Sequence, residues 1–339
     1  MIAALARLGD VEVVYVPHGG GSPAADLEEN ERIALRRLDP SRGPGRLASA
    51  AWATAAGATW HLAKAVSPEV MRAARNAAPD ARLIVDGPTA AAAVLPLARR
   101  RRAVYLAHNL ESSFRGGPRL ARFERRVITT FGESWMATPT DVEGARRLAG
   151  RDVRLRYVPN VVDVEAVPAQ EGRPGNQTAI FVGDFTYAPN RQGLAFLVDE
   201  VMPAVWRELP GARVNVVGRG LEDPPADPRI HALGFVDDLD AAYADADAAL
   251  VPLLEGGGSP LKFVEALAHG LPVVTTSHAA ALIGHGRPGE HFLAAPDAAG
   301  FAAALVSVLR GEGAELGQRG RALAAKHLSV DALARELGA

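Results

Sequence analysis

The chain has 339 residues, of which 48% are hydrophobic and 22% charged, a balance typical of soluble globular proteins. This length is about twice that of a common domain and favours two domains. The formal net charge of -2 gives no general attraction to nucleic acid or to an anionic membrane, so any anion-binding site has to be local. The chain has 0 Cys, which excludes disulfides, thiolate metal sites and thiol nucleophiles.

We expect no targeting segment at the start of the sequence. MIAALARLGDVEVVYV lacks the basic start, the long apolar core and the cleavage site of a signal peptide. No apolar run is long enough to span a membrane, so we expect a cytoplasmic protein with at most a peripheral membrane contact. Asn176-Gln177-Thr178 fits a glycosylation sequon, but without a secretory signal we expect a surface loop there.

Short apolar runs alternate with helical stretches along both halves of the chain. The runs that read as strands are Val11–Val16, Leu83–Val85, Ala103–Leu106, Ser134–Ala137, Arg154–Val158, Ala179–Val182, Arg213–Val217, Ile230–Leu233, Ala248–Val251 and Pro272–Thr275. A polar stretch, Val167–Thr178, separates the halves and is the best linker candidate, and Gly317–Leu337 has a helical rhythm. Strand–helix alternation predicts two doubly wound parallel sheets, whose ligands bind beyond the carboxyl ends of the strands.

The segment after Val251 carries the clearest chemistry. Three glycines lead to Ser259, a candidate N-cap, and to Pro260, suited to the first helical position, while Gly270 can end the helix. A helix N-terminus suits a diphosphate. Lys262 and Glu265 lie three residues apart and share a helix face, where the lysine can pair with phosphate and the carboxylate with ribose hydroxyls. A solvated Lys–Glu pair on an ordinary helix is the alternative.

The wider string GGGSPLKFVEALAHGLPVVTT closely resembles the donor-site signature of the retaining glycosyltransferase family 4, also called group 1. The blocks GFVDDLDAAYADADAALVPL and FVGDFTYAPN are similar to its preceding landmarks, and AHNLE, TPTD and VPNVVD resemble landmarks of its first domain. The resemblance covers nearly the whole chain and is most specific over residues 181–275.

The resemblance implies the GT-B fold: two Rossmann-like, doubly wound domains that face a cleft. Residues 1–165 would form the acceptor-side domain and residues 166–318 the nucleotide-sugar domain, and residues 319–339 a helix expected to pack back on the first domain. It implies His108 and Lys262 as catalytic residues, with His108 near the transferred sugar. The implied donor-binding residues are Gly183, Arg191, Arg219, Gly257, Gly258, Ser259, Pro260, Leu261, Lys262 and Glu265. It implies no cofactor and no metal ion.

Three departures from the family pattern affect these assignments. Gly257 stands where many relatives carry a glutamate, and Glu255 lies nearby but out of register. The first loop of the donor domain lacks the usual Arg and Lys, whose charge Arg191 or Arg219 could supply. The usual first strand and glycine-rich loop of the N-terminal domain are missing, since residues 1–9 resemble the end of the first helix. Either the start codon is assigned too late or the domain is truncated.

Other patterns favour structural roles. His18-Gly19-Gly20-Gly21 resembles a lipase oxyanion loop, but no G-x-S-x-G accompanies it. Asp237–Asp240 and Asp245–Asp247 are compatible with a magnesium site or with helix capping, and capping is favoured. The run Arg99–Arg102 reads as a solvated helix end, and Arg115 and Arg119 are weak candidates for acceptor contacts.

The sequence therefore predicts a hexosyltransferase-like enzyme that moves a sugar, with retention, from a nucleoside diphosphate sugar to an acceptor hydroxyl. The acceptor is open between a natural product, a polysaccharide and a lipid-linked sugar, and nucleic acid is not expected as a partner. A non-catalytic GT-B protein, serving as an auxiliary or nucleotide-binding subunit, is the main alternative. A nucleotide-sugar epimerase is the third.

Overall fold

The computed structural model describes residues 1–16, 27, 29–39, 44–55, 57–58, 60–63, 66–115, 117–169 and 176–339. The motif His18–Gly21 lies outside these residues. The chain divides into two compact units. The first is Met1–Pro159 with Gly257–Ser259 and Gly338, and the second is Asn160–Gly256 with Pro260–Leu337 and Ala339.

The first unit alternates strands and helices. Its strands are β1 (Val11–Tyr15), β2 (Ile33–Arg37), β3 (Ile84–Asp86), β4 (Val104–Ala107), β5 (Glu133–Met136) and β6 (Leu155–Tyr157). Its helices are α1 (Ile2–Leu8), α2 (Pro44–Ala55), α3 (Trp60–Ala63), α4 (Pro68–Asn76), α5 (Gly87–Val94), α6 (Glu111–Arg115), α7 (Pro118–Thr130) and α8 (Pro139–Ala149). The five strands predicted for this half are present, with bounds that differ by a residue or two.

These strands form two parallel sheets rather than the expected single one. β1 pairs with β2, and the other four run in the order β3-β4-β5-β6. In the described parts of the chain, no strand pairs with both β1 and β3, so the two sheets stay separate. The short sheet carries β2, which the apolar pattern missed because it ends in two arginines, one of which, Arg36, pairs with Glu12 on β1 at 3.0 Å. Tyr105, Phe123 and Met136 lie in the core of the larger sheet.

The second unit has the same alternation. Its strands are β7 (Thr178–Val182), β8 (Arg213–Val217), β9 (Ile230–Gly234), β10 (Ala248–Val251), β11 (Val273–Thr276) and β12 (Leu293–Ala295). Its helices are α9 (Ala188–Phe196), α10 (Met202–Glu208), α11 (Leu239–Ala244), α12 (Leu261–His269), α13 (Ser277–Ala280), α14 (Ala298–Ser307), α15 (Ala314–His327) and α16 (Val330–Gly338). Single π-helical turns, Leu197–Val201 and Val308–Glu312, extend α9 and α14.

One parallel sheet of order β12-β11-β10-β7-β8-β9 is buried on both faces. Successive side chains of a strand point to opposite faces. On β10, Ala248 and Leu250 accordingly enter one core cluster, whereas Ala249 and Val251 enter the other. An all-apolar strand of this kind is typical of a parallel sheet covered by helices on both sides, which confirms the doubly wound prediction for this half.

The helix ends follow local capping chemistry. Asp238 accepts a hydrogen bond from the backbone N–H of Ala241 at 2.9 Å, so the favoured capping interpretation of the Asp237–Asp240 cluster is confirmed. Gly270 ends α12 in the left-handed region, at φ 78°, as predicted. In the described residues, no helix is both long and apolar enough to cross a membrane.

Candidate functional site

The site lies where the strand order of the second unit reverses. β7 is followed along the chain by β8 and β9 on one side, while β10 pairs with β7 on the other side and leads to β11 and β12. After the carboxyl end of β7 the chain continues through Gly183–Tyr187, and after that of β10 it continues through Pro252–Pro260. A crevice at such a reversal is the usual ligand site of an open parallel sheet.

Lys262 links the helices α9 and α12, which follow β7 and β10. It lies in the first turn of α12, and its Nζ donates a hydrogen bond to Oδ1 of Asn190 in the first turn of α9. The ammonium also lies over the ring of Phe181, 4.7 Å from its centroid. Asn190 is itself buried and donates from Nδ2 to the carbonyl of Asp184 at 2.7 Å. The lysine is therefore held in place rather than extended into solvent.

Burial changes the protonation of this pair. Desolvation lowers the pKa of Lys262 to about 7, and the negative charge of Glu265 only partly offsets it. Burial likewise raises the pKa of Glu265, against the opposing charge of Lys262. Both side chains are partly buried on the same face of α12. The alternative of a fully solvated Lys–Glu pair is wrong for this helix.

Glycines allow the loops around Lys262 to approach closely. A Cβ on Gly183 would lie 3.2 Å from Nζ of Lys262 and 3.0 Å from Nδ2 of Asn190. A Cβ on Gly218, which follows β8 at φ +138°, would lie 1.7 Å from the carbonyl oxygen of Gly183. The loops after β7 and β8 thus pack backbone against backbone, and a side chain at Gly218 would force them apart.

The two arginines expected to supply charge both stabilise the loop after β7. One nitrogen of Arg191 donates to the carbonyls of Phe185 at 2.7 Å and Thr186 at 2.8 Å. Arg219 donates from two nitrogens to Oδ2 of Asp184, at 2.9 and 2.8 Å. Hydrogen bonds from Thr186 and Arg219 lower the pKa of Asp184. The Arg219 charge is therefore paired, whereas Arg191 bonds only neutral carbonyls among its described contacts.

The glycine loop departs from the predicted helix start. α12 begins at Leu261, not at Pro260, because Pro260 has an extended ψ of 103° and occupies the N-cap position. Ser259 is therefore not the N-cap, and no side chain caps this helix end. Gly257, Gly258 and Ser259 belong to the first unit. Gly256 stays with the second unit, and its carbonyl oxygen lies 3.0 Å from Nε2 of His278.

Exposed rings lie along the same sheet edge, and the sequence patterns did not single them out. Phe235, just beyond β9, is 75% exposed, and Tyr187, at the start of α9, is 48% exposed. β9 lies two strands from β7, about 10 Å away at the usual strand spacing. A large exposed ring beside a candidate phosphate site offers a stacking surface for a nucleobase.

In the first unit, His108 is paired. It follows β4, and its Nε2 lies 2.7 Å from Oδ1 of Asp86, the last residue of the neighbouring strand β3. The hydrogen bond that His108 donates to Asp86 raises the pKa of His108, against an opposing effect of burial. Parallel pairing of β3 and β4 brings these residues together at one sheet edge. The sequence identified His108 but not Asp86.

Buried carboxylates hold the segment that carries His108. Oδ1 of Asp141 accepts from the backbone N–H of Leu110 at 2.9 Å, and Oδ2 accepts from Oγ1 of Thr138 at 2.6 Å. Thr138 in turn caps α8 by accepting from the N–H of Asp141. Glu124 accepts from the N–H of Ser112 at 3.0 Å. Burial raises the pKa of both carboxyls. The TPTD segment therefore stabilises the loop after β4.

The remaining candidates are the acceptor-side arginines and a metal-binding group. Arg119 lines a pocket beside α2 and α7, and the side chain of Arg115 lies outside the described part of the chain. Among the described residues, no three His, Asp or Glu side chains converge as a metal-binding group.

Comparisons with known proteins agree with this geometry. Residues 176–311 match the family described as glycosyl transferases group 1. A phosphatidyl-myo-inositol mannosyltransferase of Mycobacterium leprae (strain TN) is 32% identical over 169 residues, which is 46% of this chain and 44% of that protein. The match thus spans less than half of that relative.

Solved structures share the fold over nearly the whole chain. Sucrose-phosphate synthase from Thermosynechococcus elongatus superposes with a TM-score of 0.73 at 18% identity, covering 99% of this chain and 89% of that chain. Anabaena Alr3699/HepE in complex with UDP-glucose superposes with a TM-score of 0.69 at 12% identity, covering 96% and 98%. The chain has the GT-B fold, with two Rossmann-like units.

Proposed function

We propose that this chain, whose residues 176–311 form a glycosyl transferases group 1 domain, moves a sugar from a nucleoside diphosphate sugar to an acceptor hydroxyl. One observation carries the proposal. A partly buried lysine stands in the first turn of a helix at the reversal of a parallel sheet, anchored by Asn190. A helix start and a lysine beside it together form a site for a phosphate group.

The second unit would hold the donor. Lys262 and the first turn of α12 would bind the diphosphate, with Gly183 leaving room beneath it. Glu265, one turn along the same helix face, would accept hydrogen bonds from the ribose hydroxyls. Arg191 would add positive charge from the loop after β7. Phe235 would stack on the base.

The proposed reaction requires the site to stabilise a leaving group. When the bond between the sugar and the diphosphate breaks, negative charge develops on the departing phosphate oxygen and the sugar becomes oxocarbenium-like. Protonated Lys262 and the N-terminal dipole of α12 would stabilise that charge by being preorganised for it. The oxygen of the acceptor hydroxyl then forms the new bond to the sugar, and its proton passes to the departing phosphate oxygen. We propose retention of configuration because of the resemblance to family 4. In this proposal His108, which is hydrogen-bonded to Asp86, would lie near the transferred sugar.

The names of related proteins suggest which donors to test first. Anabaena Alr3699/HepE was crystallised with UDP and with UDP-glucose. The Mycobacterium leprae relative is a mannosyltransferase that acts on a phosphatidylinositol. The donor panel should therefore begin with UDP-glucose and a nucleoside diphosphate mannose, and the lipid-linked acceptor should be tested first among the three candidate acceptors.

The test has two stages, binding and turnover. The purified chain is screened by thermal shift against UDP, GDP, TDP, ADP and their sugars, together with Lys262→Ala and Glu265→Ala. Lys326→Ala, an exposed lysine on α15, is the matched control. We expect one nucleotide class to raise the melting temperature of the wild type and the control, but of neither site variant.

Sugar transfer to an acceptor, followed with a labelled donor, then separates the enzyme from its alternatives. Binding without transfer would favour a non-catalytic nucleotide-binding protein. A change in the donor sugar without any acceptor would indicate an epimerase. No stabilisation by any nucleotide in a folded protein would refute the donor site.

A further inference from the structure

Side chains at the end of β11 and in α13 hold the segment that follows β10. Each of them is hydrogen-bonded to a backbone carbonyl of that segment: Thr275 to Val251 at 2.8 Å, Thr276 to Leu253, and His278 to Gly256 at 3.0 Å. The two threonines are buried and His278 is partly buried. We call these three contacts the carbonyl ladder. They fix the course of the segment from Val251 to Gly256.

The ladder also fixes the direction of the peptide groups. The peptide bonds here are trans, so the C=O and the N–H of one planar group point in opposite directions. The carbonyl of Gly256 points toward His278, and the N–H of Gly257 therefore points away from it. By the same argument, the N–H of Leu254 points away from Thr276. Among the described residues, neither N–H donates a hydrogen bond to a protein acceptor.

Gly256 occupies a place with little room for another residue. Its φ is +105°, in the region that favours glycine. A Cβ there would lie 3.1 Å from Oη of Tyr187 and 3.3 Å from Cγ of Pro189. Tyr187 and Pro189 stand at the start of α9, the helix that also carries Asn190, the partner of Lys262. The start of α9 therefore contacts both the glycine run and the anchor of Lys262.

A run of three glycines depends on such contacts for its order. Glycine loses more conformational freedom on ordering than any other residue. Among the described residues, His278 supplies the only side-chain hydrogen bond to the backbone of Gly256–Gly258. A carbonyl oxygen can only accept, so Nε2 of His278 carries the proton in this contact. The bond forms with a neutral ring of this tautomer and with a charged ring alike.

We infer that His278 is a positioning residue of the donor site: by holding the carbonyl of Gly256, it directs the N–H of Gly257 to an oxygen of the phosphate that is bonded to the sugar. This inference rests on the proposed function. An N–H that is fixed before the reaction stabilises the charge that develops on the departing phosphate without first having to reorient. Without His278, the peptide group between the two glycines can turn, and the diphosphate loses that hydrogen bond.

Variants that differ in the position of one N–H group test the inference. The side-chain amide nitrogen of Gln lies close to the place of Nε2 in a histidine, whereas that of Asn lies close to the place of Nδ1. His278→Asn should therefore weaken binding of the nucleoside diphosphate about fivefold and lower kcat about tenfold. Binding of the matching nucleoside monophosphate, which lacks the second phosphate, should change less than about twofold. His278→Gln should stay within about twofold of the wild type in each measurement.

Calorimetry gives both dissociation constants, and transfer from a labelled sugar donor gives kcat and KM. His231→Ala is the matched control, because His231 is a partly exposed histidine on β9. It should behave as the wild type does. Circular dichroism melts establish that each variant is folded. Nitrogen-15 NMR of the wild-type ring needs no variant, and in the neutral ring of His278 it should show the proton on Nε2.

Any of three results would overturn the inference while leaving the donor site in place. The first is that the Asn and Gln variants have equal Kd and kcat values. The second is an equal loss of affinity for the monophosphate and the diphosphate, which would indicate general damage to the site. The third is a neutral His278 ring without a proton on Nε2. A folded wild type that binds no nucleotide would instead refute the proposed function, and this inference with it.

Discussion

Donor binding should depend on pH through Lys262. Its pKa of about 7 means that the side chain is about half protonated in the empty site at neutral pH. A bound diphosphate favours the ammonium form and raises this pKa, so binding should take up a proton. The uptake should be about 0.1 proton at pH 6, about 0.5 at pH 7 and about 0.9 at pH 8.

The sign of the affinity change follows from the same pKa. Below about pH 7 the lysine is already charged, so binding of the diphosphate requires no further protonation of Lys262. Above it, each pH unit adds about 1.4 kcal/mol for protonating the lysine, so Kd should rise about tenfold per unit. In the empty protein, burial of Lys262 makes folding release a proton. Stability should therefore rise as pH increases from about 7 toward the ordinary lysine pKa of 10.5.

Calorimetry can measure the proton uptake directly. Titrations of a nucleotide sugar in buffers of different ionisation enthalpy give the number of protons bound, and the two phosphate groups in the diphosphate of such a donor do not titrate near pH 7. Lys262→Arg is the control, because a guanidinium stays charged throughout this range. Its uptake should be near zero and its Kd flat between pH 6 and 8.5. A wild-type Kd that is also flat over that range would refute the argument that the empty site discharges Lys262.

Three further predictions concern single residues. Asn190→Ala should lower the free energy of unfolding by about 1 kcal/mol or more and weaken nucleotide binding several-fold, as measured by urea melts and calorimetry, since Lys262 loses its anchor; unchanged affinity would contradict the anchor. Gly218→Ala should destabilise the protein by more than about 3 kcal/mol, because its Cβ would overlap a backbone oxygen at positive φ, while Gly211→Ala, whose Cβ would meet only a side-chain oxygen at 3.6 Å, should change little in the same melts. Asp86→Asn should lower the pKa of His108, seen by NMR titration of the ring, and should shift to lower pH either the acidic limb of any pH–rate profile, for a group needed neutral, or the basic limb, for a group needed charged; an unmoved ring titration would mean that the pair does not persist in solution.

Local sequence determined much of the fold because strands and helix ends depend on neighbouring residues. Apolar runs between Gly and Pro predicted ten strands, and the spacing of Lys262 and Glu265 predicted their common helix face. β2 was missed because its arginines break the apolar pattern, and β12 because it is a three-residue edge strand rich in alanine. Pro260 was placed one position too far into α12, since proline suits both the N-cap and the first turn.

The partners of the site residues could not be predicted, because they come from distant parts of the chain. Asn190 lies 72 residues from Lys262 and meets it only because β7 and β10 are neighbours. Asp86 meets His108 through the pairing of β3 with β4. The tethering of Arg219 by Asp184 likewise needs the loops after β7 and β8 to touch. The sequence identified candidate site residues by type, while strand order decides which of them meet.

The reversed strand order has a consequence for how the second unit is made. During synthesis, β7 and β8 emerge close together and can pair early, but the other edge of β7 stays open until residues 248–251 have left the ribosome. Pairing across such a separation closes a long loop and is slow. Lys262 emerges later still, so the candidate phosphate site should be among the last parts to assemble. A nascent chain halted before residue 248 would expose an apolar strand edge to chaperones or to aggregation.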